Sequence, residues 1–251
     1  MMPPAEYANL AWAEETFWWF RGMRQITFAV AGPHLNGGPG ARVLEAGCGT
    51  GYFAQCLERE RGWRLFPVDL SPEGIRYARA QGLQSALLAD IAQLPFASHS
   101  FNAAFCLDVL VHAPRGQEAA LLAELHRVLV PRGLLILRVA ALNALRSRHS
   151  QFVGEQQRFT RRRLALALTR SGFRILRSTY ANSLLLPVAL FKFRLWEPLM
   201  RRPPASGLTP LPGWLNRLLL GCLRAEARWL ALGRNLPLGQ SLILIAQKAT
   251  S

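Results

Sequence analysis

Acid is what this chain most lacks. Of its 251 residues, 15 are Asp or Glu against 30 Lys or Arg, a formal net charge of +15. The shortage is local: Met1 to Leu137 holds 12 acidic and 11 basic residues, whereas Arg138 to Ser251 holds 3 and 19. Such asymmetry points to an anionic partner: membrane surface, nucleic acid or phosphorylated substrate. A solvated basic face is the plainer alternative. Cysteine is also scarce. Cys48, Cys56, Cys106 and Cys222 are scattered without a CxxC pair, which argues against a disulfide framework or zinc site and predicts a reduced, cytoplasmic setting. No uncharged run reaches the roughly 18 residues of a bilayer-spanning helix. Glu6, Glu14 and Glu15 stand where a signal peptide would need apolar residues. The most apolar stretch, ANSLLLPVALF, contains Pro187 and runs into Lys192 and Arg194, so it is expected to lie on a membrane rather than cross it. Disorder throughout is excluded by a hydrophobic content of 51%.

What is present is a strand–helix alternation. Residues 14–32, EETFWWFRGMRQITFAVAG, read as an aromatic helix, and LNGGPGA as a linker. From Arg42 the pattern predicts strands at RVLEAG, WRLFPVDLS, QSALLAD, SFNAAFCLDV, LLILRVA, FRILRSTYA and QSLILIAQK. Helices are expected at YFAQCLERERG, PEGIRYARAQG, GQEAALLAELHRVL and TRRRLALALTRSG, with Pro72 in a first turn and Thr160 as a cap. PRG is expected to turn the chain into the fifth strand. Repeated strand–helix units imply an α/β fold, a Rossmann-like, mainly parallel sheet with helices on both faces. Three regions are expected: an N-terminal aromatic lid, residues 1–40; a core of 41–180 and 239–251; and a basic, apolar helical insertion, 181–238.

The stretch VLEAGCGTGYFAQ sets Gly47, Gly49 and Gly51 between the first strand and the first helix of the core. The next glycine of a dinucleotide fingerprint is missing, because position 52 is Tyr, and so is the Lys-Ser/Thr pair of a P-loop. No phosphate cradle is therefore indicated. Three acids follow instead. Glu45 adjoins the loop and can hold an ammonium group; Asp69, 18 positions past Gly51, ends the second strand and can accept ribose hydroxyl protons. Asp90 ends the third predicted strand, where it can meet the amino edge of adenine. An adenosine without phosphates, joined to an amino acid, fits these acceptors. That ligand is S-adenosylmethionine.

At these residues the chain resembles the class I S-adenosylmethionine-dependent methyltransferases, in the broad group that includes the ubiquinone and menaquinone methyltransferases. VLEAGCGTG, VDLS, LLADIAQLPFASHSFNAAFCLDVLVH and ELHRVLVPRGLLIL match its motifs in order, between about Arg42 and Ala140. The resemblance implies seven strands with the last antiparallel. It also implies a cofactor site of Glu45, Gly47, Cys48, Gly49, Gly51, Asp69 and Asp90, with Leu70 packing on the adenine, Ile91 giving it a backbone contact, and Cys106 and Leu107 lining the floor.

For catalysis the candidates are two histidines, since a ring near neutral pKa can take a proton from the acceptor. His112 follows the fourth strand, where relatives place a residue facing the cofactor methyl. Val111 replaces the acid that some quinone methyltransferases use in a metal site, which counts against a metal. His149 lies in RHSQFVGEQQRFTRRR, where a subset of the family has acids at the positions of Ser150 and Gln151. Arg158 in that segment, and Trp19 and Arg21 in FWWFRGMR, are candidate substrate contacts. The insertion carries Trp196, Trp214 and Trp229 among arginines, a composition suited to a membrane interface. A lipophilic or lipid-linked acceptor reached from the inner face of the membrane is the expectation; a cap packed on the sheet or a partner subunit is the alternative. An RNA methyltransferase is disfavoured, because LDVLVHAP stands where an Asn/Asp-Pro-Pro-aromatic motif is required. A non-catalytic cofactor-binding scaffold is the remaining class.

Overall fold

A computed structural model describes residues 3–4, 6–35, 37–200 and 203–250. Its centre is a seven-stranded sheet in the order β3-β2-β1-β4-β5-β7-β6. The strands are β1 (Arg42–Ala46), β2 (Arg64–Asp69), β3 (Leu87–Leu88), β4 (Phe101–Leu107), β5 (Leu129–Ala140), β6 (Phe173–Ala181) and β7 (Ser241–Lys248). Strands β1 to β5 pair in parallel, and β7 runs antiparallel between β5 and β6. A central strand with both faces covered must be apolar throughout rather than alternating. The LILIA run of β7 obeys this, with every one of its side chains buried.

Helices cover both faces. On one lie α3 (Tyr52–Arg61) and α4 (Pro72–Ala80), beside α2 (Trp18–Ala31) and α10 (Gly213–Ala231); on the other lie α5 (Glu118–Val128) and α7 (Arg161–Arg170). Alternation along β1 divides the core: Val43 belongs to the cluster that holds Met23, Ile26 and Leu223, whereas Leu44 belongs to the one that holds Leu122, Leu125 and Leu164. Capping explains several helix ends. Ser71 accepts from Gly74 N–H and Thr160 from Arg163 N–H, while Gly62 closes α3 in the left-handed conformation.

Four boundaries differ from the sequence expectation. The aromatic segment is two helices, α1 (Glu6–Thr16) and α2, because Phe17 between them is extended. The third strand shrinks to two residues. Its predicted start forms a turn instead, with Ala86 N–H donating to Leu83 O, and its end is drawn away where Asp90 accepts from Ala92 N–H. Asp90 therefore lies in the loop beyond β3. The PRG segment is no turn between elements but an irregularity inside β5, with Arg132 at φ +64° and a register shift against β4. The insertion, finally, does not stand apart. Its first part, α8 (Leu186–Phe191), a π-helical segment (Lys192–Trp196) and α9 (Glu197–Met200), presents apolar residues outward. Its last helix, α10, lies along α2, and a methyl group built on Gly22 would fall 2.4 Å from Leu223 Cδ1. Leu223 and Leu230 are fully buried. Leu223→Ala is accordingly expected to lower unfolding free energy by about 2–5 kcal/mol, measurable by urea denaturation; a change near zero would mean that α10 is a detachable cap.

Candidate active site

The C-terminal ends of β1, β2 and β4 meet around the glycine loop, where an open α/β sheet binds its ligands. Gly47 N–H and Cys48 N–H both donate to Val68 O, which ties the loop to β2. Gly47, Gly49 and Gly51 have φ of +84°, +55° and +82°, a region costly for other residues. They differ in what lies beyond the α-carbon. A methyl group on Gly47 would meet Val109 Cγ2 at 2.2 Å, and one on Gly51 would meet Leu83 and Ala78 below 3 Å. Close packing inside the fold thus demands two of the three. Gly49 faces outward, with Leu10 of α1 at 3.4 Å.

Three carboxylates surround the loop. Glu45 is 4% exposed, and its Oε2 has no hydrogen-bond partner among the described residues. Burial, then the charges of Glu14 and Asp69, push its carboxyl well above the usual carboxylate range; Arg138 opposes this. An orphaned buried carboxylate oxygen costs free energy unless a donor reaches it. A ligand ammonium group is such a donor. Asp69 is clamped to the loop: Oδ2 accepts from Gly49 N–H and Oδ1 from Ser71 N–H, each at 2.8 Å. Burial raises its pKa, while these bonds and the nearby His112 lower it. Glu14, from α1, accepts a hydrogen bond from the Thr50 hydroxyl.

The remaining expected cofactor residues divide. Leu70 is exposed beside Asp69, and Leu107 is half-buried at the end of β4. Cys48 and Cys106 are buried, and burial pushes both thiols up, Cys106 to about 12. The Cys106 side chain lies in the core, leaving only backbone for a ligand. Ile91 is likewise buried, its side chain in the core with Leu94.

His112 ends a short 3-10 turn (Leu110–His112) after β4, exposed, with Nδ1 3.3 Å from Gly154 O. His149 is placed differently. On α6 (Arg148–Phe152), its Nδ1 accepts from Gly207 N–H at 3.0 Å, and burial lowers its pKa. It fastens the proline-rich stretch before α10. Arg158 is not free to meet a substrate: its guanidinium pairs with buried Glu155 at 2.6 Å and donates to Ala141 O. Arg21 makes no ion pair among the described residues. Trp19 lies 5.2 Å from the guanidinium of Arg138.

That arginine is the residue the sequence reading missed. Arg138 interrupts the apolar LLILRVA, pairs with Asp108 at 2.7 Å and approaches the Thr27 hydroxyl. A single charge inside an otherwise buried strand was the available signal, since it requires a partner. Asp108, at φ +59°, supplies it and ends β4.

Residues 44–137, which run from within β1 through the glycine loop to within β5, match the family model described as "Methyltransferase domain". Residues 44–137 form a methyltransferase domain. Among curated proteins, this chain is 39% identical over 108 residues to the malonyl-[acyl-carrier protein] O-methyltransferase of Serratia marcescens, covering 43% of this chain and 41% of that protein. It is 35% identical over 104 residues to the ubiquinone biosynthesis O-methyltransferase of Xanthomonas oryzae pv. oryzae, covering 39% and 42%. The chain thus spans about two fifths of the length of the curated relatives it matches. Solved structures share the fold more widely. A chain from the complex of the Haloferax volcanii Trm112 methyltransferase activator with a methyltransferase superposes at a TM-score of 0.65 with 19% identity, covering 98% of this chain and 96% of that one. Geranyl diphosphate C-methyltransferase from Streptomyces coelicolor, solved with S-adenosyl-L-homocysteine, superposes at 0.59 with 15% identity, covering 89% and 78%. The donor set fits the methyltransferase cofactor on its own chemistry: an unpartnered buried carboxylate oxygen for an ammonium, and bare backbone beside it.

Proposed function

We propose that this chain transfers a methyl group from S-adenosylmethionine to an oxygen of a hydrophobic or lipid-linked, anionic acceptor at a membrane surface. The unpartnered Oε2 of Glu45 beside the glycine loop carries the cofactor part of this reading. The bound cofactor supplies a methyl activated by its sulfonium charge, so the protein's task is mainly alignment and exclusion of water. Glu45 holds the amino-acid ammonium. Asp69 accepts from the ribose hydroxyls with the lone pairs its loop bonds leave over. Asp90 and the Ile91 backbone address the adenine edge, and Leu70 covers its face. Cys48, Cys106 and Leu107 border the cofactor through backbone and apolar contact.

His112 takes the proton from the acceptor oxygen, a role favoured by its exposure in the turn after β4. Trp19 and Arg21, on α2, wall the acceptor side. His149 and Arg158 serve this wall indirectly, by anchoring the segments around it. His112→Ala is expected to lower turnover by about 100-fold, the lower end of the range for general-base catalysis, with cofactor affinity unchanged. Unaltered turnover would leave His112 a structural residue.

The acceptor class rests on two observations. The matched relatives are named malonyl-[acyl-carrier protein] O-methyltransferase and ubiquinone biosynthesis O-methyltransferase. The insertion exposes Val188, Phe191, Leu195, Trp196 and Leu199 beside Lys192 and Arg194, a contiguous apolar and basic face of the kind that meets lipid. No helix among the described residues is long and apolar enough to cross a membrane. Transfer of label from methyl-labelled cofactor into an organic-extractable fraction of anionic lipids supports this reading. Label in RNA, or cofactor binding without any transfer, would replace it with a nucleic-acid enzyme or a scaffold.

A further inference from the structure

We infer that Glu14, on α1, is a second carboxylate for the cofactor's ammonium group, so that the cofactor draws the N-terminal helix onto the glycine loop. The inference rests on the cofactor reading of the site and adds a residue from outside the matched domain.

Three side chains of α1 face the loop, at helical spacings of three and four that put them on one face. The ring of buried Tyr7 lies against Gly74, 3.0 Å from the position of an added methyl group. Leu10 lies over Gly49, and Glu14 takes the Thr50 hydroxyl as donor. Tyr7 and Leu10 supply apolar contact, but Glu14 brings a second acid beside Glu45. Of the charges acting on Glu45, that of Glu14 is the largest. Helix α1 thus docks its one loop-facing acid on Thr50 of the loop that Glu45, with its orphaned oxygen, adjoins, and the two acids repel each other unless a cation or a proton is shared there.

The surrounding charges do not supply that cation fully. Arg24 from α2 lowers Glu14, and Arg138 from β5 lowers Glu45 but is already paired with Asp108. Asp69 from β2 adds to the negative side. In the free chain a proton takes the place: burial pushes Glu14 up to about 7, against the pull of Thr50 and Arg24. The sign follows from linkage. The docked state binds the proton more tightly than the undocked one, so docking weakens as pH rises from the ordinary carboxylate value through about 7. A bound ammonium reverses the preference, because it stabilises both ionised carboxylates in a poorly solvated site.

The test pairs two ligands with one isosteric variant. S-adenosylhomocysteine carries the ammonium; 5′-methylthioadenosine shares the nucleoside but lacks the amino acid. Glu14→Gln is expected to weaken S-adenosylhomocysteine about tenfold by titration calorimetry at pH 7.5 and to leave methylthioadenosine within about twofold. Amide hydrogen exchange over residues 6–16 is expected to slow when S-adenosylhomocysteine binds the unmodified chain. Faster exchange would show α1 to be a plug that the cofactor expels, and overturns the inference. So does an equal effect of Glu14→Gln on both ligands, or none on either. If the unmodified chain binds neither ligand, the cofactor site itself is wrong and Glu14 falls with it; normal S-adenosylhomocysteine affinity in Glu14→Gln overturns the Glu14 role alone. Glu14→Asp, which keeps the charge, is expected to restore part of the lost affinity.

Discussion

Asp69→Ala is expected to weaken S-adenosylhomocysteine binding by about 100-fold or more while the chain stays folded. Two losses combine. The carboxylate orders the loop by accepting from Gly49 N–H and Ser71 N–H, both at 2.8 Å. Alanine leaves those donors unpartnered and frees a glycine held at φ +55°. It also removes the acceptor for the ribose hydroxyls. Hydrogen bonds to a charged group contribute about 1.5–3 kcal/mol each, and losing one or two of them corresponds to about 10- to 20,000-fold in affinity. Asp69→Asn separates the two losses: its single oxygen can keep one loop bond but accepts poorly from two hydroxyls, so an intermediate affinity is expected. Burial raises the Asp69 carboxyl, so affinity should also fall on acidification earlier than for an ordinary aspartate. Calorimetry measures each effect, with a thermal melt to show that the variants fold. Full affinity in Asp69→Ala would remove Asp69 from the site.

Replacing Leu195, Trp196 and Leu199 together by serine is expected to reduce binding to phosphatidylglycerol vesicles by at least about 30-fold. Leu195 is 63%, Trp196 52% and Leu199 76% exposed, so they contribute little to the folded chain. Each fully buried apolar side chain gains roughly 1.5–3 kcal/mol on leaving water, so partial insertion of three side chains exceeds the stated loss. The neighbouring Lys192 and Arg194 add attraction to anionic head groups at a cost in salt sensitivity. Flotation at low and high salt reads both terms. The unmodified chain is expected to float with anionic vesicles and much less with phosphatidylcholine. If it floats with neither, the exposed face belongs to a protein partner.

How much of this was legible in sequence depended on whether residues act locally. The glycine loop, the helix caps at Ser71 and Thr160, and the continuous apolar run of β7 follow from backbone angle, side-chain reach and burial, which neighbouring residues largely determine. The antiparallel β7 came with the family resemblance. The two-residue β3 escaped notice because Asp90, expected to end a strand, turns the chain by accepting from Ala92 N–H. The PRG irregularity in β5 is held by pairing with β4 and β7, which no local pattern encodes. Site residues brought together over long separations were the hardest. Arg158 looked available, yet Glu155 three residues earlier already neutralises it. Arg138 looked like a strand residue, yet it pairs across β4 with Asp108 and lies under Trp19. Glu14 looked like an ordinary helix acid until α1 was seen to lie on the loop. For Gly47 and Gly51 the glycine requirement was legible, but Val109, Leu83 and Ala78, which leave no room for a side chain there, were not.

The proposed chemistry depends on one encounter: the amino-acid end of a sulfonium nucleoside meeting the buried carboxylate of Glu45. Carbon-13 NMR of the chain labelled at glutamate side chains, titrated with S-adenosylhomocysteine, observes that carboxylate directly. The account predicts that the Glu45 carboxyl titrates above the ordinary carboxylate range in the free chain and that its resonance shifts toward the ionised form at one equivalent of ligand. A Glu45 resonance that does not move at saturation would contradict it.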